Sequence, residues 1–103
     1  MLDAQCLEKN TPLAVALLKA LANESRLKIL FTLKIHGEKN VGDLESIVGL
    51  SQSALSQHLA RMRKEGLVKT RRDAQTIYYS CESEHVERVL ECLCLIYRPE
   101  SGV

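Results

Sequence analysis

The chain has no run of roughly 18 apolar residues, which leaves no candidate for a membrane-spanning helix. Its first residues, Met1-Leu2-Asp3-Ala4-Gln5, put no basic segment ahead of an apolar stretch. A secretory leader is therefore not expected, and the protein is expected in the cytoplasm. There is no phosphate-cradling glycine loop, no His-Glu pair and no Gly-x-Ser-x-Gly. An enzyme needs a nucleophile, a base and oxyanion donors that converge, so enzymatic activity is not expected. Internal repeats, low-complexity tracts and linkers are also lacking. At 103 residues, 46% of them apolar, the chain is expected to form one domain over residues 1–103 with a modest core.

The net charge is only +1 and excludes little, but its distribution is uneven. Residues 51–76 carry a net +4, from Arg61, Arg63, Lys64, Lys69, Arg71 and Arg72 against Glu65 and Asp73, and the remainder carries −3. A local concentration of basic charge is the electrostatic footprint of a nucleic-acid surface.

The stretch that holds this charge is patterned. From Ser51 to Glu65 the sequence reads as a helix with Ser51 as its cap, and Gly66 is placed to end it in a left-handed turn. Leu55, Leu59 and Met62 make an apolar stripe. The remaining face presents Gln52, Ser53, Ser56, Gln57, His58 and Arg61, amides and hydroxyls rather than the Glu/Lys pairs of an ordinary solvated helix. Such groups suit base edges and phosphates in a DNA major groove. Ahead of it, Val41, Leu44, Ile47 and Val48 predict a short amphipathic helix broken at Gly49. A short helix, a glycine turn and a polar-faced helix make a helix-turn-helix.

Downstream, Leu67 to Arg72 and Thr76 to Ser80 read as two strands around an Asp73-Ala74-Gln75 turn that lacks an Asn-Gly or Asp-Gly signal. This hairpin, with basic residues near its tip, predicts a wing. The expected DNA-contacting residues are Ser51, Gln52, Ser53, Ser56, Gln57, His58, Arg61, Arg71, Arg72, Gln75 and Thr76. The arginines are expected to meet mostly phosphate.

The rest reads as scaffold. A weakly helical start from Asp3 to about Asn10 gives way at Thr11-Pro12, where a capping residue precedes a proline at a first helical position. Leu13, Leu17, Leu18 and Leu21 follow at helical spacing. A second helix runs from Glu24 to about His36 with Leu27, Ile29, Leu30 and Leu33 inward, and Gly37 closes it. A last helix spans about Ser83 to Tyr97 on Val86, Val89, Leu90, Leu93 and Ile96, and Pro99 prevents its continuation. The expected fold is mainly α with a small β-hairpin, an α+β winged helix-turn-helix of five helices. Its recognition helix is 51–65 and its wing 67–80. Segments 3–22 and 83–97 carry more apolar surface than the domain needs, and they are expected to form a homodimer.

Asn23-Glu24-Ser25-Arg26-Leu27-Lys28-Ile29-Leu30, the Leu50–Leu59 stretch and Gly66–Tyr79 together resemble the ArsR/SmtB repressors, nearest their HlyU/BigR-type branch. The resemblance covers roughly residues 12 to 97. It implies a homodimeric transcription factor that binds double-stranded DNA, represses, and lets go when an inducer binds. Some of the branch instead antagonise another DNA-binding protein. An alternative is therefore a winged-helix protein-interaction module or anti-repressor without an intact sensor.

The family's sensor sites are not reproduced. The Cys-x-Cys of its metal sensors falls on Asn40 and Gly42, and a second ligand set on Ser83, His85, Ile96 and Pro99, where only His85 could ligate. The branch's two sensing cysteines fall on Phe31 and Arg98. No metal or cofactor is expected.

Four cysteines remain: Cys6, Cys81, Cys92 and Cys94. Cys81, at a strand end, is expected to pack. Cys92 and Cys94 lie about 200° apart around a helix, one expected in the core and the other at a dimer seam. A cluster of Cys6 with Cys92 or Cys94, within or between subunits, could bind a thiophilic ion or form a regulatory disulfide. Otherwise these cysteines serve as small hydrophobes.

Overall fold

In the computed structural model, residues 2–99 are described, the Leu7 side chain excepted. Residue 1 and residues 100–103, the ends of the expected 1–103 domain, lie outside the described residues. Five helices and a three-stranded sheet are formed: α1 Ala4–Leu21, α2 Glu24–His36, β1 Lys39–Asn40, α3 Val41–Val48, α4 Gln52–Lys64, β2 Lys69–Asp73, β3 Thr76–Ser80 and α5 Glu84–Ile96.

Each helix begins where a short polar side chain can take an orphan amide. Asp3, Asn23, Asn40, Ser51 and Ser83 accept from the backbone N–H three residues on. The helix-turn-helix is tight because Gly49 adopts a left-handed conformation (φ 80°, ψ 26°) between α3 and the Ser51 cap. At the other end of α4, the Leu67 N–H reaches the Met62 carbonyl at 2.8 Å and that of Gly66 the Arg63 carbonyl at 3.0 Å. This is the Schellman pattern. It turns Leu67 and Val68 into the core, so β2 begins at Lys69 and not at Leu67 as expected.

The core is one cluster in which Ile29, Leu30, Leu44, Leu55, Leu59, Met62 and Val86 have no exposure. It takes side chains from every helix and from the segment after α4. Helix α3 is the hub and packs on α2, α4, β1 and β3. Arg26, 8% exposed, donates from Nη2 to the Lys19 carbonyl at 3.2 Å, so a cation sits at the C-terminal end of α1 and ties it to α2.

Three local expectations are corrected. Helix α1 does not break at Thr11-Pro12 but runs through Pro12. Pro12 lies on an exposed stretch, where water can take the carbonyl that the missing N–H leaves. The two-residue strand β1 was not anticipated, since Lys39-Asn40 is too short to show alternation. The sheet order is β1-β3-β2, all antiparallel. The wing turn is Ala74-Gln75, with Asp73 paired to Thr76, and Ala74 takes φ 58°.

A left-handed alanine costs about 1–2 kcal/mol, part of which glycine would return as unfolded-state entropy. Ala74→Gly is therefore expected to raise unfolding stability by about 0.5–1 kcal/mol, read as a higher urea midpoint at unchanged slope.

Candidate nucleic-acid interface

Helix α4 is held by Leu55, Leu59 and Met62, which have no solvent exposure. Everything at the complementary helical positions faces outward. Gln52, Ser53, Ser56, Gln57, Ala60, Arg61, Arg63 and Lys64 are exposed, and His58 is half-buried at the border. Among the described residues, the side chains of Gln52, Ser53, Ser56 and Gln57 have no hydrogen-bond partner within the protein. Ser51 spends its hydroxyl oxygen on the Ala54 N–H at 3.2 Å, so its first role is to start the helix.

The wing supplies the second part. Arg71, Arg72 and Gln75 are exposed, and Thr76 is half-buried. β2 and β3 are in register from Lys69↔Ser80 to Asp73↔Thr76, so neighbouring arginines leave the ribbon on opposite faces. The consequence is unequal. Arg71 lies with its guanidinium 4.8 Å from the Tyr78 ring centre. It donates to Glu38 from Nε to Oε2 at 3.0 Å and from Nη2 to Oε1 at 2.9 Å. The hydrogen bonds from Arg71 lower the Glu38 carboxyl below the usual carboxylate range, and Glu38 raises Arg71 in turn. A lowered acid stays ionised above its ordinary range and loses its charge only as pH falls through the lowered value. Both groups are therefore charged throughout the neutral range. Arg71, expected to meet phosphate, is paired with Glu38, whereas Arg72 has no ion pair among the described residues.

Other basic groups are also engaged. Arg61 meets Glu65 at 3.5 Å and Lys69 meets Glu82 at 3.0 Å. Arg63, Lys64 and Arg72 remain unpaired among the described residues. Neither Glu38 nor Tyr78 was picked out from the sequence: Glu38 and Arg71 are 33 residues apart, and no local pattern links them.

The possible cysteine group is not assembled within this chain. Helices α1 and α5 each pack on α2 and make little contact with each other. Cys6, Cys92 and Cys94 are all exposed, which corrects the expectation that one of the α5 pair is core. The reason is that Val86 and Leu90 fill the inward face of α5. Among the described residues no three His, Cys, Asp or Glu side chains are grouped to hold a metal ion, and His85 is exposed.

A sequence model described as a bacterial regulatory protein of the arsR family matches residues 23–70. The transcriptional activator HlyU of Vibrio cholerae is 51% identical over 96 residues, covering 93% of this chain and 88% of that protein. The chain belongs to the ArsR family. The nodulation protein NolR of Rhizobium meliloti is 52% identical over 89 residues, covering 86% of this chain and 72% of NolR. Among solved structures, the transcriptional repressor BigR of Xylella fastidiosa superposes with a TM-score of 0.89 at 32% identity, covering 96% of this chain and all of BigR's (100%). Reduced HlyU of V. cholerae gives 0.82 at 51% identity, covering 93% of this chain and 100% of its own. This ArsR-family chain is accordingly a transcriptional regulator with a DNA-binding winged-helix fold, and not an enzyme.

Cys81 differs from the other thiols. It is buried, and desolvation pushes its thiol above the ordinary range, which keeps it protonated at neutral pH. Cys81 is expected to resist iodoacetamide at pH 7.5 in the native protein and to react once the chain is unfolded, as read by peptide mass.

Proposed function

We propose that this chain acts in the cytoplasm as a homodimeric regulator. It reads a near-palindromic operator with α4 and represses transcription until a thiol-reactive or other inducer releases it. The observation that carries this reading is the two-sidedness of α4. Three side chains with no exposure fix one face, and the opposite face offers Gln52, Ser53, Ser56 and Gln57 with no partner in the protein. In the reading, those four groups with Ser51 and His58 lie at base edges and phosphates. Arg61 and Arg72 meet phosphates, and Gln75 and Thr76 approach the groove at the wing tip.

Dimerisation through segments 3–22 and 83–97 is supported by what the protomer leaves uncovered. Leu13 is 71% exposed, Leu18 58%, Leu95 67%, Ile96 61% and Tyr97 77%. The radius of gyration is 15.3 Å, against about 13 Å for a compact domain of this length. A second copy laid on α1 and α5 would cover these residues and set two α4 helices about one DNA turn apart. Cys6 on α1 and Cys92 and Cys94 on α5 lie on those same helices, which supports them as the candidate thiol switch. The relatives' names include an activator, 51% identical, and a repressor, 32% identical; repression is the reading that the resemblance to the ArsR/SmtB repressors implies.

The test is binding of the reduced protein to its own upstream DNA across a salt series. It is repeated after oxidant, persulfide, arsenite and divalent metals, with a Cys6→Ser, Cys92→Ser, Cys94→Ser triple variant alongside. Affinity is expected to fall with a log–log slope of about −0.9 per phosphate neutralised. Arg72→Ala should flatten that slope by about one contact on every sequence, while Gln57→Ala should cost about 1–3 kcal/mol of discrimination between sequences. An agent that releases the wild type and spares the triple variant identifies the cysteines as the switch. A binding partner whose affinity ignores salt would point to a protein-interaction module.

A further inference from the structure

The position of Arg71 carries a consequence for affinity. Glu38 stands between the α2 terminus at Gly37, where φ is 81°, and the short strand β1. β1 pairs with β3 through Lys39↔Tyr79 and Asn40↔Tyr78, and β2 pairs with β3 through Arg71↔Tyr78. Alternation therefore puts Glu38, Tyr78 and Arg71 on one face of the sheet. The Tyr78 ring forms a shelf under the guanidinium, and the Glu38 carboxylate takes it in a fork of two short hydrogen bonds. A phosphate is the other group that a guanidinium fork fits. The pair is also open to water, with side-chain exposures of 54% for Arg71 and 39% for Glu38. It is thus accessible to an incoming anion, and its charge is held back while Glu38 keeps it.

We infer that Glu38 is a specificity-determining residue that withholds Arg71 from the DNA backbone, capping the sequence-independent part of binding at the wing. The inference deepens the proposed DNA reading and rests on it. With Arg71 latched, the wing offers phosphate one arginine, Arg72, on the other face. Selection of sequence is then left to α4, because a smaller non-specific term lets base contacts weigh more. Glu38 touches no base in this account and acts through Arg71.

The experiment measures binding of the full, reduced chain to its upstream duplex and to a scrambled duplex from 50 to 200 mM salt. The variants are wild type, Glu38→Gln, Arg71→Ala and the control Glu24→Gln. The control removes one negative charge from an exposed ion pair elsewhere on the surface. Glu38→Gln is expected to bind both duplexes more tightly, with a slope steeper by about 0.9. That corresponds to a gain that shrinks roughly 3.5-fold over the fourfold rise in salt. The preference for the upstream duplex should narrow. Arg71→Ala should keep the wild-type slope, and Glu24→Gln should leave slope and preference unchanged.

Both Glu38→Gln and Arg71→Ala break the same ion pair, so if the pair only props the wing, both weaken binding in the same sense, and that overturns the latch. An equal gain from Glu24→Gln overturns it too, since the effect is then a general field. So does a flattening of the slope by Arg71→Ala. Failure of the underlying reading looks different: the wild type then binds neither duplex with a salt dependence, and the latch falls with it.

Discussion

The burial of Leu55, Leu59 and Met62 is the constraint on which the rest of the structure depends. A helix turns about 100° per residue. A rotation of α4 by one position would carry Leu55 and Leu59 into water and an arginine, Arg61 or Arg63, into the core. Three side chains without exposure, one on each successive turn, prevent that rotation and set which groups the protein shows. α3 repeats the arrangement with Leu44 and Val48, and the left-handed Gly49 fixes the short path between the two helices. The exposed face of α4 is thus a product of the core beneath it.

Charge at the candidate interface is set by pairing as much as by composition. Residues 51–76 carry a net +4, yet Arg61, Lys69 and Arg71 are each matched by a carboxylate, two of them from outside that stretch. Exposed ion pairs add little to stability, because water and salt screen them. Their larger effect is on the field the surface presents, which a phosphate backbone feels over about a Debye length. Glu38 and Glu82 bring negative charge to the basic hairpin, and Arg63, Lys64 and Arg72 are left to express the positive potential.

The chain also leaves apolar surface uncovered on α1 and the end of α5. α1 projects with Leu13 and Leu18 uncovered, and the face of α5 beyond Val86 and Leu90 is open through Leu95, Ile96 and Tyr97. Apolar area at about 25 cal/mol per Å² makes such surfaces costly to leave in water. Arg26, bonded to the Lys19 carbonyl, fixes the base of α1 and so the direction in which it projects.

Much of this was legible in the chain of residues. The five helices, the Ser51 cap and the two-sided pattern of α4 follow from local chemistry. Periodicity and short polar caps are properties of neighbours in sequence, so α4 could be bounded almost to the residue. Pro12 misled because its cost depends on whether water reaches the preceding turn, which only the exposed course of α1 answers. Cys92 and Cys94 misled because spacing tells that two side chains diverge but not how much neighbouring surface covers each. The sequence by itself determined which residues form α4 and which apolar stripe holds it. Tertiary structure alone decided that β1 adds a third strand and that Glu38, just ahead of β1, reaches across β3 to take Arg71. The physical reason is that these contacts join residues far apart in the chain, where pairing depends on three-dimensional closure and not on local propensity.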